Sequence, residues 1–446
     1  MTEKGVSAAP RQTLSVWDSA AFLIGIVIGI GIFKTPSLVA ANVGSEAAFM
    51  GAWILGGLIM LLGALCYAEL GSAHPNAGGE YHYLSRAYGQ PVGILFAWAR
   101  GTVIQTGAIA AVAFVFADYA SVLFPLGTYS QAIHAAAAVV VLTAINVIGT
   151  RESRLLQLLL TLLTIAALLT VIFAGLAYAG AGAASTAHTP GGGGLGLAMV
   201  FVLLTYGGWN EAAYLSGEIK DPRRNVVRAL LIGTGVVVVL YLLANYAYLN
   251  AFGLQGLAKS SAVGADLMGR VVGDAGAVAL SLVICVCALS TLNATIFTGA
   301  RVYYALGRDL VAIRGLLGVW DERGHKPANA LLLQGAIALA LIGFGALARD
   351  GFEAMVAYTA PVFWFFLLLV AISVFIFRRR DAGAINYRMP LYPLPPIVLA
   401  AAAGWMFYAS LRYAGIGAIA GLAVLLLGMP LLLLGRIRQN VSSAAE

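Results

Sequence analysis

The sequence predicts an all-α integral membrane protein with twelve transmembrane helices, and three observations support this class. Of the 446 residues, 61% are hydrophobic and only 10% are charged, a balance that excludes an ordinary soluble domain. Apolar runs of about 18 or more residues recur, and each is long enough to cross a bilayer as a helix. Basic residues lie in the polar breaks between these runs and concentrate on one predicted side of the membrane.

The twelve predicted spans follow from reading the apolar runs in order against the polar breaks. They cover residues 16–41, 47–70, 91–118, 131–149, 154–179, 195–216, 227–250, 272–305, 328–348, 353–377, 394–413 and 416–435. Most connections are short, and the longer ones are 70–90, 180–194, 251–271, 306–327 and 378–393.

The distribution of basic residues predicts the orientation. Most of the 26 Lys and Arg residues fall in connections on one side, whereas Lys259, Arg270, Arg349 and Arg412 fall on the other. Positive residues stay cytoplasmic, so we expect both termini inside the cell and the chain in the cell (inner) membrane. The polar N-terminal segment lacks a signal-peptide pattern, so we expect the first span to be retained. Lys34 lies on the outward half of that span, and we expect it to reach extracellular water.

Composition also excludes several kinds of site. The net charge of +7 does not indicate a nucleic-acid partner, because the basic residues sit in short loops without interleaved aromatic residues. The three cysteines, Cys66, Cys285 and Cys287, lie in apolar segments, and their odd number argues against a disulfide framework. The histidines lack the spacing of metal ligands. We therefore expect no nucleic acid and no cofactor, and a chain surrounded by the lipid bilayer.

Glycine pairs interrupt two of the spans near their middles. The first interruption lies within residues 25–33, which read GIVIGIGIF, and the second within residues 205–210, which read TYGGWN. Backbone groups freed in hydrocarbon must be satisfied by protein or by a wet cavity. A matching pair of glycine-interrupted spans therefore indicates the binding site of a secondary transporter. Close helix packing through Gly25 and Gly29 is the alternative reason for the first interruption.

The freed peptide groups predict the kind of solute. The N-terminal end of a half-helix attracts anions, and the C-terminal end presents carbonyl oxygens to cations. An α-amino acid carries a carboxylate and an ammonium on one carbon and matches both ends together. We expect a secondary active transporter of amino acids that works by alternating access.

The interrupted spans are the first and the sixth, which predicts an inverted repeat of five plus five helices. The first repeat would cover residues 16–179 and the second residues 195–377. Two further helices, in residues 394–435, would follow them. Short cytoplasmic segments, residues 1–15 and 436–446, would flank the whole.

Several blocks, in the same order, give the chain a family resemblance. They are residues 28–36 (IGIGIFKTP), 67–70 (YAEL) with Pro75 and 78–81 (GGEY), 206–210 (YGGWN), 218–225 (EIKDPRRN), and 290–293 (STLN) through 301–305 (RVYYA). On these residues the chain resembles the amino acid–polyamine–organocation (APC) transporter superfamily, nearest its L-type amino acid transporter-like branch. The resemblance implies the LeuT fold, with alternating access around spans one and six.

The resemblance also implies the contacts of the substrate. By position, its carboxylate would meet the amides of Ile30 and Gly31. Its ammonium would meet the carbonyls of Val27, Leu204 and Gly207.

Five positions complete the expected site or bear on departures from the family pattern. Gly29 lets the backbone turn and lets the ligand approach closely, and Trp209 is a candidate for stacking on the ligand. Relatives often have serine where Ile30 stands, so a hydroxyl contact is missing here. Relatives also usually place an aromatic gate where Leu204 stands; Tyr206 is near in sequence but could face elsewhere.

A sodium ion is the coupling hypothesis that the resemblance suggests. Cation-independent and proton-linked relatives resemble one another in carrying a lysine in span five, and this chain has none there. Hydroxyl and carbonyl oxygens suit a hard cation, so the vacated place could hold Na⁺. The candidate ligands are Gly25, Ile28, Thr164, Cys287, Ser290 and Thr291. The alternative is that the hydroxyl groups bond only to carbonyls of their own helices.

Three charged residues are candidates for gating. Arg100 lies about ten residues into span three, where a charge is costly and is a functional candidate by default; snorkelling to the headgroups is the alternative. Glu211 follows the second interruption and is expected to pair with Arg100 or another base. Glu218 lies at the cytoplasmic end of span six, where it suits an inner-gate ion-pair network.

The expected substrates are neutral L-amino acids with small to medium hydrophobic side chains, because the interrupted segments are largely apolar. Cationic amino acids or polyamines are the alternative if Glu211 lines the pocket. A membrane-embedded lipid-modifying enzyme is the alternative of another class, and we find no nucleophile and base for it. A channel fits two unlike interruptions in one chain poorly. We expect no enzyme activity and no obligate protein partner, since no extracellular cysteine is predicted.

Overall fold

The architecture is all-helical wherever a computed structural model describes the chain, that is, over residues 15–75, 79–148, 154–178, 194–211, 219–309, 313–319, 327–348, 350–380, 387–413 and 415–434. The helices are α1 (Val16–Val27), α2 (Thr35–Asn42), α3 (Glu46–Ala73), α4 (Gly79–Tyr88), α5 (Gln90–Leu123), α6 (Ser130–Ile148), α7 (Arg154–Ala177), α8 (Gly194–Thr205), α9 (Pro222–Ala258), α10 (Val263–Val272), α11 (Asp274–Asp309), α12 (Arg314–Leu317), α13 (Ala328–Ala346), α14 (Gly351–Arg380), α15 (Leu394–Tyr413), α16 (Gly415–Leu426) and α17 (Pro430–Leu434).

Within the described residues, ten helical stretches are long and apolar enough to cross a membrane, and the bent pair formed by α1 and α2 raises this to eleven. The predicted sixth span begins as α8, a helix of 12 residues that stops at the second interruption. Residues 212–218 of that span lie outside the described part. The helices extend past several predicted ends: α3 covers Glu46–Ala73 against the predicted 47–70.

Local sequence explains where helices begin and break. Ser45 precedes α3 and accepts a hydrogen bond from the Ala48 amide at 3.1 Å, which satisfies one amide of the first turn. Within α5, Arg100–Gln105 forms a π-helical segment, a local widening that often accompanies functional sites. The Gly101 carbonyl of this segment is bonded to another helix, because it accepts a hydrogen bond from the Tyr303 hydroxyl at 2.7 Å.

Small residues let the helices approach closely, as expected in a bilayer. A Cβ atom at Gly56 of α3 would lie 2.3 Å from the Val202 side chain of α8. One at Gly25 of α1 would lie 2.6 Å from the Thr161 side chain of α7. Larger residues at these glycines would push the helices apart.

The two ends of the bundle are marked by two charged residues, Lys34, which is buried, and Arg100, which is partly buried. Lys34 contacts the C-terminal part of α5 and the residue before α14, and this end is called the Lys34 face below. Arg100 contacts α4, which joins α3 to α5, and the opposite end is called the Arg100 face. Lys34 does not reach water as expected, since its exposure is only 2%. Two carboxylates hold its ammonium inside the protein, and their attraction outweighs hydration.

Candidate functional site

The first helix is interrupted at its predicted place. Helical bonding ends where the Ile28 amide donates to the Ile24 carbonyl at 2.7 Å. Gly29 is then extended, with φ −86° and ψ −179°, and a short 3₁₀ turn follows over Ile30–Phe33. Farther along, the stretch Ser19–Phe33 and the helix Thr35–Asn42 are inclined to each other by 58°, with Lys34 between them. As first residues of a new turn, Ile30 and Gly31 have no earlier carbonyl in their own helix for their amides.

Buried tyrosines satisfy the carbonyl groups on either side of this first break. The hydroxyl of Tyr241 in α9 donates to the Val27 carbonyl at 2.7 Å. The hydroxyl of Tyr119 in α5 donates to the Phe33 carbonyl at 2.9 Å and accepts from the Gly264 amide at 3.2 Å. The Val27 carbonyl, expected to meet the substrate ammonium, also accepts from the Gly29 amide at 2.6 Å, so both of its lone pairs have partners within the protein.

The bond from Tyr241 to Val27 gives a first testable prediction. Tyr241→Phe removes the donor and leaves the buried Val27 carbonyl with only the Gly29 amide among its described partners, which costs about 0.5–1.5 kcal/mol. We expect the melting temperature of the purified protein to fall by several degrees. Tyr246→Phe, on the same helix but 53% exposed, is the matched control and should change little. Equal melting temperatures for the two variants would contradict the assignment.

The second break follows α8. The Tyr206 amide still donates to Val202 in helical fashion, but the Gly207 amide donates to the Leu204 carbonyl at 3.0 Å, which closes a tighter turn. Gly208 then has φ +101°, a conformation that favours glycine. A short 3₁₀ turn, Trp209–Glu211, continues the chain.

The two breaks lie against each other. The Thr205 hydroxyl, at the end of α8, lies 2.7 Å from the Thr35 hydroxyl, at the start of α2. A Cβ atom at Gly31 would lie 3.6 Å from the Thr205 side chain. The amide end of one break and the carbonyl end of the other therefore occupy the same region.

The aromatic residues of the second break are packed inside the bundle, and the ring of Tyr206 lies 5.2 Å from that of Tyr241. Tyr206 is fully buried and packs edge-on against Trp53 of α3, with ring centres 5.7 Å apart. Trp209 is 6% exposed and packs against Tyr67 at 4.8 Å. Both side chains belong to the contact of the second break with α3, whereas Leu204 is partly exposed. The places of Tyr206 and Trp209 favour a packing role for both rings.

A buried charged cluster lies directly after the first break. The Lys34 ammonium is 2.8 Å from a carboxylate oxygen of Asp118 in α5 and 2.8 Å from one of Asp350, which precedes α14. The side chains of Lys34 and Asp118 are 3% and 4% exposed. Gln131 donates to the other Asp118 oxygen at 2.5 Å. The cluster ties α2 to two other helices at the Lys34 face.

A second cluster lies directly after the second break, at the Arg100 face. The Glu80 carboxylate of α4 accepts hydrogen bonds from the Tyr67 hydroxyl at 2.5 Å and from the Asn210 amide at 3.1 Å. An Arg100 nitrogen lies 3.3 Å from its other oxygen. Arg100 thus pairs with Glu80, where Glu211 was the expected partner. The Glu211 side chain and Glu218 lie outside the described residues.

The candidate sodium ligands fall on three neighbouring helices. The Thr164 hydroxyl of α7 lies beside the Cys287 thiol of α11. The hydroxyls of Thr164 and Thr291 donate to Leu160 and Cys287 in their own helices, at 2.9 and 3.1 Å. A hydroxyl that donates in this way still has lone pairs with which to ligate a cation. Gly25 of α1 packs on α7 one turn from Thr164, Ile28 lies directly after α1, and Ser290 is partly buried in α11.

Sequence reasoning missed Asp118, Asp350 and Tyr241. Asp118 falls inside a predicted span, and an acidic residue there is a functional candidate for the same reason as Arg100. In the sequence Glu80 stands out only as part of one of the resembling blocks, residues 78–81. Tyr241 gave no signal, because a tyrosine within an apolar run has many packing roles.

Known proteins similar to this chain share one activity. The family model described as amino acid permease matches residues 14–429. The b(0,+)-type amino acid transporter 1 of Mus musculus is 30% identical over 401 residues, 87% of this chain and 80% of that protein. The serine/threonine exchanger SteT of Bacillus subtilis is 29% identical over 87% of this chain and 88% of its own length. The large neutral amino acids transporter small subunit 2 of Homo sapiens is 28% identical over 97% and 82%.

Proposed function

Because this chain belongs to the amino acid permease family of the APC superfamily and is an amino acid transporter, not an enzyme, we propose that the two breaks form its substrate site. The observation that carries the proposal is the contact of the breaks at Thr35 and Thr205. The amides of Ile30 and Gly31 would hold the substrate carboxylate. The carbonyls of Val27, Leu204 and Gly207 would hold its ammonium.

The proposed substrates are neutral L-amino acids of small to medium size. The described polar side chains at the breaks are bonded within the protein: Thr205 to Thr35, and Asn210 to Glu80. Peptide groups and apolar side chains then remain to meet the ligand. The names of two relatives, a serine/threonine exchanger and a large neutral amino acids transporter, support the same class. Cationic amino acids are the alternative substrates. This alternative requires the Glu211 carboxylate to face the site.

The proposed fold has twelve spans in the LeuT arrangement. The described helices supply ten apolar spans and the bent pair, and α8 with the residues after it would make the twelfth. The two five-helix repeats, residues 16–179 and 195–377, would be inverted in the membrane, with helices one and six unwound near its middle. The Lys34 face would be extracellular and the Arg100 face cytoplasmic, as would both termini.

In this arrangement the two charged clusters act as gates. Each cluster fixes the segment just beyond a break: Lys34 fixes α2, and Asn210 belongs to the turn after α8. Opening the extracellular side would separate Lys34 from Asp118 or Asp350. Opening the cytoplasmic side would separate Asn210 and Arg100 from Glu80.

We propose that the chain works without a disulfide-linked partner, because all three of its cysteines are buried. The human relative is named a small subunit, so a partner held by non-covalent contacts remains compatible with this proposal.

A thermal-shift screen of the twenty amino acids on the purified protein tests the substrate class. A ligand at about one hundred times its Kd stabilises the folded state by about 2.7 kcal/mol. We expect this response from neutral amino acids and none from lysine or arginine. Responses from lysine and arginine alone would overturn the proposed class. Uptake into vesicles preloaded with the same amino acid should be accelerated, which distinguishes a carrier from a channel.

Sodium coupling is a separate proposal with its own experiment. Replacing Na⁺ by choline should lower the apparent affinity for the amino acid, and Thr164→Val should abolish that difference. Thr170→Val is the matched control, because this exposed threonine of the same helix makes the same kind of bond, to Ala166 at 2.8 Å. Uptake that is unchanged in choline, in rate and in affinity, would remove the ion site and favour exchange.

A further inference from the structure

A buried ion pair outside both charged clusters joins α3 to the last turn of α14. The Glu69 residue of α3 is only 2% exposed. Its carboxylate accepts hydrogen bonds from two nitrogens of the Arg378 guanidinium, Nε at 2.6 Å and Nη2 at 2.5 Å. The Met389 amide, which precedes α15, donates to the same carboxylate at 2.7 Å. These three residues, called the Glu69 bridge below, connect two helices and the residues that lead into a third.

The bridge has a specific geometry and lies at the Arg100 face. Two parallel hydrogen bonds fix the orientation of a guanidinium against a carboxylate, which a single contact does not. The centre of the Tyr392 ring lies 3.7 Å from the central carbon of the same guanidinium, so a second attraction holds Arg378 in place. Asp350 precedes α14 and belongs to the Lys34 face. Arg378, in the last turn of α14, is therefore at the opposite end of the bundle.

Helix α4 completes a ring of contacts with α3 and α14. Tyr67 of α3, which donates to Glu80 of α4, precedes Glu69 by two residues, and residues so spaced point about 200° apart around a helix. The end of α3 is therefore held from two sides, by α4 and by α14. The end of α4 is bonded to α14 in turn, because the Tyr88 hydroxyl donates to the Leu369 carbonyl at 2.7 Å. The position of Glu80 thus depends on where α14 lies against α3.

We propose that Glu69 is a positioning residue for the gate at the Arg100 face. The Glu69 bridge holds α14 against α3, and α14 holds α4 where Glu80 meets Asn210 and Arg100. Without the bridge, α14 and α4 would shift together, so the gate would open more often and expose the second break to water. This inference rests on the gating role proposed above for Glu80. A bridge that only fastens the residues before α15 would leave the second break unaffected.

Hydrogen–deuterium exchange of the full chain in lipid nanodiscs tests the proposal, with mass spectrometry as the readout and no amino acid present. Arg378→Gln removes both bonds from the guanidinium to Glu69. We expect peptides that cover residues 206–211 to exchange about tenfold or more faster in this variant, because amides exchange when local opening exposes them to water. Arg379→Gln is the matched control, since it makes the same change at the next residue, which is exposed, and should leave these peptides unchanged.

Changes at the two partners should act as one. Glu69→Gln should accelerate the exchange of residues 206–211 as much as Arg378→Gln does. The double variant should show no further increase, because either single change already breaks the same contact. Arg378→Lys keeps the positive charge but not the paired hydrogen bonds, and a smaller increase is expected. The lysine variant also keeps the test available if the glutamine variants fold poorly.

Two outcomes would overturn the proposal. Faster exchange confined to residues 387–393 and the end of α14 would show that the bridge is only a local fastening. Faster exchange that extends to α6, which is remote from the bridge in the chain, would show that the variants loosen the whole bundle. Because no amino acid is present, a negative result here leaves the proposed substrate site intact, and a negative amino acid screen leaves this inference intact.

Discussion

Lys34→Met should be among the most damaging single substitutions in this chain. It leaves the carboxylates of Asp118 and Asp350 near one another without the ammonium that lies 2.8 Å from each. Removing one partner of a buried ion pair costs about 3–5 kcal/mol, because the remaining charge stays buried and uncompensated. We expect a large fall in the melting temperature, and uptake reduced because α2 no longer closes the Lys34 face.

The charge, not the loss of the long side chain, should cause this effect. Adding Asp118→Asn to Lys34→Met removes the more buried carboxylate and should recover part of the stability, because Asp350 is 24% exposed. Lys259→Met is the matched control at an exposed lysine on the same face, and surface changes of this kind stay within about 0.5 kcal/mol. Lys34→Met and Lys259→Met proteins of equal stability would show that the cluster contributes nothing.

Glu80→Gln should have the second large effect, and on transport more than on substrate binding. The side-chain oxygen of the new glutamine can still accept a hydrogen bond from Tyr67 or Asn210. The substitution removes the negative charge that faces Arg100, whose side chain is only 12% exposed. Hydrogen bonds to charged groups contribute about 1.5–3 kcal/mol, so we expect the uptake rate to fall about tenfold to a hundredfold. The thermal shift caused by the amino acid should persist, because Glu80 supplies none of the proposed substrate contacts.

A double-mutant cycle separates the interaction between Arg100 and Glu80 from the effects of the two single changes. Glu80→Gln and Arg100→Gln together should cost less than the sum of the two single changes, since neither partner is left with an unmatched charge. Glu46→Gln, in the first turn of α3, is the control for the loss of a carboxylate elsewhere. Additive effects of the two single changes would show that Arg100 and Glu80 act separately.

How much the sequence predicts differs between the backbone and the side chains. The breaks at residues 25–33 and 205–210 were predictable, because closely spaced glycines in the middle of an apolar run weaken the helix at that point. The direction of the Tyr206 side chain was not predictable, because a tyrosine one residue beyond Thr205 can point to the space between the breaks or to α3. Its place depends on Gly56 and Gly57, which leave room for the ring about 150 residues earlier in the chain.

The charged clusters show a second limit of sequence reasoning. Arg100 was recognised as a costly charge within a span, but its partner depends on the position of α4. Glu80 lies in the connection between two spans, and a connection is normally expected to face water. In the structure α4 packs against the other helices and Glu80 is buried, with 5% exposure. Pairings of this kind depend on tertiary packing, which a single sequence does not reveal.

The separation of the two clusters bears on how tightly the membrane stays sealed. Lys34 and Glu80 belong to different groups of contacts at opposite ends of the bundle, and within the described part of the chain they share no partner. A continuous aqueous path would require both groups to come apart in one molecule at one moment. Independent free-energy costs add, so the probability of that event is the product of two small populations. With the gating roles proposed above, this arrangement would suppress leakage of ions down their gradient during the transport cycle.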